Sequence, residues 1–282
     1  MIIKKLPLIL FLILLPILPL YAVENTNATI KPIKILLVPG HDNVYSGAQY
    51  GGLKEAVMNL VVASKIYNIL KKDNRFEVYI TRDQNGYTKE FADYFVNNKK
   101  EVLSFTEEAK KKMKETITQG IFIKKNNVSH NNVTGDVSLR LYGFNKWASD
   151  NNIDATIHVH FNDYYRSKSR VAGIYKGFAI YMPDSQFVNS KESVNLAESI
   201  FSQLHTKFTT STLQGELGGL ISDQKLIALG ANNTLLAGAR SVLIEYGYIY
   251  SLGNSSARQK KYNDMANLTA VGIQNYFFNT SP

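Results

Sequence analysis

The chain has no cysteine among its 282 residues. That removes thiolate nucleophiles, disulfide staples and cysteine metal sites, so any metal must be held by histidine, aspartate or glutamate. A domain of this length buries enough apolar surface to do without cross-links, even outside the cytoplasm. Acidic residues are also in short supply: 23 Asp and Glu face 32 Lys and Arg, a formal charge of +9. Such a balance suits an anionic partner, although a lysine-rich solvated surface produces the same count. A zinc finger, the aromatic signature of an RNA-recognition fold and a basic arm are all missing, which argues against nucleic acid. No internal repeat is present.

Long apolar runs are confined to the start. Lys4 and Lys5 precede an apolar stretch from Leu6 to Val23, with Ala22 as a cleavage position. Pro7, Pro16 and Pro19 argue against a regular spanning helix, so residues 1–22 are expected to be a signal peptide. The stretch is just long enough to span, and an N-terminal membrane anchor is the alternative. Both place the protein outside the cytoplasm. Loss of Lys4 and Lys5 would leave 30 − 23 = +7. Residues 23–32 read as a polar linker.

Beyond it, strand-like and helix-like segments alternate. Ile33 to Val38 is a continuous apolar run, the pattern of a strand buried on both faces. Leu53 to Lys72 carries apolar residues at three- and four-residue spacing, a helix. "FEVYIT" at 76–81 alternates as a strand. Residues 84–136 differ: a charged helix at "FTEEAKKKMKETI", with Glu107–Lys111 and Glu108–Lys112 at i,i+4, and a polar loop. They are expected to be a surface insertion. The alternation resumes with a helix at 138–152, strands at 153–163 and 175–182, a helix at 190–208, a strand at 241–249 and a closing helix at 257–278. The fold class that follows is α/β: a single domain over 33–282, with a mostly parallel central β-sheet flanked by helices and a helical insertion.

In such sheets ligands gather beyond the carboxyl ends of the strands. "ILLVPGHD" at 35–42 ends its strand at Pro39-Gly40 and presents His41. "IDATIHVHFND" brings His158 and His160, which share a strand face. "VLIEYG" brings Glu245, a carboxylate costly to bury without a partner. Glu55 lies in the first turn of the helix after His41, and the glycine loop between them can fold back to join the two. Taken singly, a histidine after a strand is an ordinary hydrogen-bonded residue, and Glu55 an exposed helix glutamate. One of the two strand histidines is equally an ordinary core residue. Together, two histidines, one carboxylate and an open position make a catalytic zinc site, and a further carboxylate supplies a general base.

The segments "ILLVPGHD", "SGAQYGGLKEAVMNLVVA", "VYITRD", "SLRLYGFNKWA", "IDATIHVHFND" and "VLIEYGYI" follow one another in the order of a known family. The chain resembles the zinc-dependent N-acetylmuramoyl-L-alanine amidases, the amidase type 3 catalytic domain, over Ile33 to Phe278 apart from the insertion. The resemblance implies that Zn2+ is held by His41, Glu55 and His160, and that Glu245 is catalytic. It places the family's Ser-x-His-x-Asn motif on His158-Val159-His160-Phe161-Asn162. Arg82 and Arg140 match recurrent family arginines and are expected to be ion-paired at strand and helix ends. The reaction implied is hydrolysis of the amide between N-acetylmuramic acid and L-alanine of peptidoglycan, by water that zinc activates and Glu245 deprotonates.

Two departures stand out. His158 occupies the family's serine position and is a competing ligand. The 84–136 insertion replaces a much shorter link. It is either an exposed helical elaboration or a lid, with Glu107, Glu108 or His130 blocking the metal until a regulatory partner protein moves it. Another zinc amidohydrolase or peptidase on the same scaffold, and a non-catalytic wall-binding module, are the rival readings.

Overall fold

Leu36, Leu37 and Val38 have no polar face to offer, so the first strand is buried on both sides at the middle of the sheet. In the structure, a computed structural model, residues 31–125, 133, 135–166, 168 and 170–278 are described. The expected signal or anchor segment at 1–22, and all of the linker except Lys31 and Pro32, lie outside them. Among the described residues no helix is long and apolar enough to cross a membrane.

Six strands form the central sheet: β1 (Ile33–Pro39), β2 (Phe76–Ile80), β3 (Ala155–Asn162), β4 (Ala179–Pro183), β5 (Leu220–Asp223) and β6 (Arg240–Tyr248). Their order is β2-β1-β3-β6-β4-β5. The first four run parallel, β4 is antiparallel to β6, and β5 is parallel to β4. The described residues from Pro32 onward form one compact unit.

The period of two divides each strand between two faces. Ile35, Leu37, Ile157, Val159, Phe161, Val242 and Ile244 enter one core with α1 (Glu55–Leu70), α5 (Ser190–His205) and α6 (Ser255–Phe278). Leu36 and Val38 enter the other, with Phe144, Trp147 and Ala148 of α4 (Gly135–Asp150) and Phe91 of α2 (Lys89–Asn97). Each such side chain, fully buried, contributes on the order of 1.5–3 kcal/mol. His158, His160 and Glu245 share parity with the second face. It is covered less completely near the carboxyl ends of the strands, and a cavity opens there.

The structure departs from the sequence expectations at several element ends. Helix α1 starts at Glu55, because Leu53–Lys54 pairs with Gln49–Tyr50 as a short hairpin. The insertion holds two helices, α2 and α3 (Lys99–Thr118), where one was expected. On α3, Glu107 pairs with Lys110 at 3.2 Å and Ser104 donates to Glu108 at 3.0 Å, rather than the i,i+4 lysines taking the glutamates. Strand β5 has only four residues and escaped a pattern reading.

The insertion is fastened to the core. Met113 and Phe122 pack with Phe187. Ile123 N donates to Gln186 Oε1 at 2.7 Å, and Lys125 N donates to Gln224 Oε1 at 2.9 Å. The Lys125 ammonium pairs with buried Asp184.

Candidate metal centre

Strand β1 stops because Pro39 and Gly40 turn the chain; Gly40 N still reaches Val159 O at 2.9 Å. A side chain at Gly40 would collide with the His160 ring, its Cβ falling 2.1 Å from Cε1. His41 follows with φ of 61°, a left-handed conformation uncommon for a non-glycine residue. The surroundings hold it there. Asp42 Oδ1 accepts from Val44 N at 2.8 Å and Tyr45 N at 2.7 Å, and Oδ2 takes the Arg140 guanidinium and Tyr87 OH. Asn59 Nδ2 donates to Gly40 O at 2.9 Å.

The loop then folds back as the glycines allow. Glu55 N donates to Ala48 O at 2.9 Å, and Ala48 N returns a bond to Glu55 Oε2 at 3.0 Å. Gly47 has φ of +68°, and a Cβ there would lie 2.4 Å from Glu55 Oε2. Glu55, only 4% exposed, comes to rest between two imidazoles. Its Oε2 is 3.0 Å from His41 Nε2, and its Oε1 is 3.0 Å from His160 Nδ1. Burial opposes its ionisation, but the two histidines outweigh this and hold its carboxyl well below the usual range. Burial lowers the His160 pKa, with Glu55 opposing, so its imidazole favours the neutral form that ligates metals.

One ligand atom from each of His41, Glu55 and His160 lies within 4.8 Å of the others. Ligands of a tetrahedral zinc, each about 2.0–2.1 Å from the ion, stand roughly 3.3 Å apart. Two nitrogens and a carboxylate, each nitrogen 3.0 Å from a carboxylate oxygen, match the donor set of such an ion. No other His or carboxylate joins the group among the described residues.

His158 is buried among apolar neighbours and does not join. Neither ring nitrogen has a hydrogen-bond partner. The Ala228 backbone lies near enough to favour the cation slightly, but outside hydrogen-bond geometry. Burial pushes the imidazole pKa down to about 3.

Glu245 stands in register with His160 across β3 and β6. Its Oε2 is buried and without a partner. Burial, then the charges of Glu55 and Glu216, hold its pKa well above the usual carboxylate value.

Arg82 corrects an expectation. It is 2% exposed and, among the described residues, meets no carboxylate at ion-pair distance; it donates instead to Pro39 O at 3.2 Å, Gly40 O at 3.0 Å and Ala56 O at 2.6 Å. Arg140 does form the expected ion pair, with Asp42. Glu216 was not singled out in the sequence. It is 2% exposed and accepts from Asn162 Nδ2 at 2.6 Å, Tyr181 OH at 2.7 Å, Tyr248 OH at 3.0 Å and Ser211 Oγ. A lone carboxylate in "GELGG" was its only signal.

Beside the three-residue group lies a cavity of about 370 Å³, lined by His41, His160, His158, Arg140 and Leu243 and reached by Lys110 of α3. Neither Glu107 nor Glu108 lies at the metal group. Glu107 points to solvent beside Lys110, and Glu108 lines a separate groove with Asn232 and Asn233. His130, the third lid candidate, lies outside the described residues.

Known proteins resemble this chain over most of its length. The amidase type 3 family model, described as N-acetylmuramoyl-L-alanine amidase, matches residues 35–275. A protein of Buchnera aphidicola subsp. Schizaphis graminum, provisionally named as an N-acetylmuramoyl-L-alanine amidase, is 26% identical over 251 residues, 86% of this chain and 95% of its own. The crystal structure of the Mycobacterium smegmatis N-acetylmuramyl-L-alanine amidase superposes with a TM-score of 0.56 at 14% identity, covering 89% of this chain and 99% of that one. The CwlD amidase of Clostridioides difficile, solved in complex with the GerS lipoprotein, gives a TM-score of 0.52 at 17% identity, over 87% and 98% of the two chains. At these identities the solved structures show a common fold.

Proposed function

The chain belongs to the N-acetylmuramoyl-L-alanine amidase family, and on that premise we propose how its residues divide the hydrolysis of peptidoglycan between them. The bond cut joins the lactyl group of N-acetylmuramic acid to the amino group of L-alanine. His41, Glu55 and His160 hold one zinc ion. Bound there, zinc supplies Lewis-acid polarisation of the scissile carbonyl and a water acidic enough to lose a proton near neutral pH.

Glu245 moves the proton. It accepts a hydrogen from the attacking water, whose oxygen bonds to the carbonyl carbon, and delivers it to the departing nitrogen as the C–N bond breaks. The products are a lactyl carboxylate and an alanine ammonium, which takes up the second proton of the water. The observation that carries this assignment is Glu245 Oε2, a buried carboxylate oxygen with no partner, in register with His160. Its acidic neighbours are satisfied: Glu55 by two histidines and Ala48 N, and Glu216 by four side-chain donors. Burial and the nearby charges of Glu55 and Glu216 raise the Glu245 pKa above the usual carboxylate value, which strengthens it as a proton acceptor.

Arg82 and Asn59 position the first ligand. Both bind Gly40 O, the carbonyl immediately before His41, and so fix the turn that aims the imidazole. Peptidoglycan lies outside the membrane, and residues 1–22 deliver the chain there as a signal peptide or hold it as an anchor. The Clostridioides difficile amidase above was solved with a lipoprotein bound. For this chain the corresponding proposal is a partner protein acting on the 84–136 insertion, which is anchored at Lys125 and Phe122 and presents a charged outer face on α3.

The test pairs metal content with digestion products, for the wild type and Glu245→Gln. The wild type carries about one zinc per chain and exposes new alanine amino termini in purified wall. The variant keeps the metal and loses at least about a hundredfold in rate. A variant that stays active removes Glu245 from the mechanism; a metal-loaded wild type that frees no alanine termini overturns the reaction.

A further inference from the structure

The segment that joins β3 to β4 leaves the metal-bearing strand at Asn162 and returns at Ala179. It carries four cations, Arg166, Lys168, Arg170 and Lys176, against one acid, Asp163. It also holds Tyr165 at 88% exposure, Ile174 at 85%, Val171 at 48% and Tyr164 at 47%. Single exposed apolar residues need no explanation. Four within eleven residues, interleaved with cations on the loop that follows the strand bearing His160, do.

The base of this loop is built, not loose. Arg166, its side chain 8% exposed, donates Nε to Asp163 Oδ1 at 3.0 Å and Nη2 to Asp163 Oδ2 at 2.8 Å. Nη2 also reaches Gln49 O at 3.0 Å, in the hairpin between His41 and Glu55. The guanidinium lies 5.3 Å from the Tyr50 ring and 5.8 Å from the Tyr250 ring. A chain of ring contacts then runs inward from the rim: Tyr164 to Tyr175 at 4.9 Å, Tyr175 to Tyr248 at 6.0 Å, and Tyr248 OH to Glu216. The one acid is consumed by the staple, while Lys168, Arg170 and Lys176 stay exposed.

Resting on the amidase reading, we propose that Tyr164, Tyr165, Lys168 and Arg170, on the loop from β3 to β4, form the docking surface for the glycan strand of peptidoglycan. Tyr164 and Tyr165 offer flat apolar bodies with polar tips to sugar rings. Lys168 and Arg170 meet the carboxylates of the peptides that the strand carries. Because Arg166 ties the loop to the hairpin that sets Glu55, a strand held here is held at a fixed place relative to the metal centre. The surface thus feeds polymer to the site and is dispensable for small fragments.

The experiment reads binding without cleavage. Full-length protein carrying Glu245→Gln is sedimented with purified sacculi stripped of attached polymers, with and without Tyr164→Ala/Tyr165→Ala or Lys168→Glu/Arg170→Glu. Arg166 is left in place so that the loop keeps its base. Each pair is expected to weaken sacculus binding at least about fivefold, and the loss from the charge pair should shrink as salt rises. With Glu245 restored, KM for sacculi rises while turnover of a soluble muramyl-peptide holds. Undiminished sacculus binding in both pairs overturns the proposal. So does an equal fall on the soluble fragment, which would mean a disturbed metal site. Loss of binding only to phosphatidylglycerol vesicles would assign the surface to a membrane instead. Wild type that docks through the tyrosines but cuts no amide would sink the reaction and leave the docking surface standing.

Discussion

Glu245 and His160 face each other across adjacent parallel strands: they are register partners on β6 and β3, and both side chains leave the same face. Two strands and 84 intervening residues of chain (161 to 244) are needed to make that pair. Glu55 also lies against His160, with Oε1 3.0 Å from Nδ1. One imidazole therefore stands beside the carboxylate assigned to the metal and the carboxylate assigned to the proton. The two carboxylates differ because their surroundings do: one is clasped by donors, the other has an oxygen with none.

His158 and His160 are separable by metal content. His160→Ala should weaken metal binding by more than the roughly 10- to 100-fold that losing an outer partner costs. His158→Leu should keep one metal per chain and be no less stable, because it removes two buried nitrogens that lack partners. Metal analysis after gel filtration, with thermal melts, checks both. Loss of metal from the leucine variant would make His158 a ligand.

Gly47→Ala should damage the metal site from outside it. The added Cβ falls 2.4 Å from Glu55 Oε2 and 2.5 Å from His41 Cδ2, at a φ of +68°. The strain is about 1–3 kcal/mol, and the ligand pair must separate to relieve it. Zinc titration should show weakened affinity while the far-UV circular dichroism is unchanged.

Arg82→Met keeps the bulk but withdraws donors from the carbonyls of Pro39, Gly40 and Ala56. A loss of about 2–4 kcal/mol in urea unfolding is expected. Arg82→Lys should recover little of it, since an ammonium cannot span three acceptors as the guanidinium fork does. Full rescue by lysine would mean that only the charge matters.

Asp184 anchors the insertion in a pH-dependent way. Burial opposes its ionisation, but hydrogen bonds from Lys125 and Gln186 prevail and bring its pKa down to about 2 from 3.8. A folded pKa below the unfolded one gives stability that is present above about pH 4 and is lost as pH falls through 2. Asp184→Asn should therefore cost about 1–3 kcal/mol at neutral pH, with the gap to wild type closing as pH drops from 4 to 2. Urea midpoints at pH 6, 4, 3 and 2 give the comparison. A gap independent of pH would show that the charge of Asp184 is not what holds Lys125.

The layered architecture was legible because periodicity reports burial. Leu36 to Val38 and Val242 to Ile244 announce strands buried on both faces, and the fold that follows from them has few alternatives. Helix α2 and strand β5 were not legible. Phe91 is the one buried side chain of α2, and β5 is too short to show a period. The direction of β4 was equally silent, since antiparallel pairing is a property of the neighbour and not of the strand.

His41, Glu55, His160 and Glu245 could be singled out because each interrupts or ends an apolar segment with a residue that burial penalises unless it is paired or put to use. What the order of residues could not say was which of His158 and His160 turns toward Glu55. Both have the same parity; the choice was made by Gly40, whose missing side chain leaves room for the His160 ring. Nor could it say that Arg82 serves carbonyls, that Glu216 is saturated by four donors, or that Arg166 staples the rim loop to the hairpin behind His41. Residue type and spacing determine which elements form and which side chains carry chemistry, since those depend on local pattern. Partnership among buried polar groups depends on distances between segments far apart in the chain, and only the packed tertiary structure decides them.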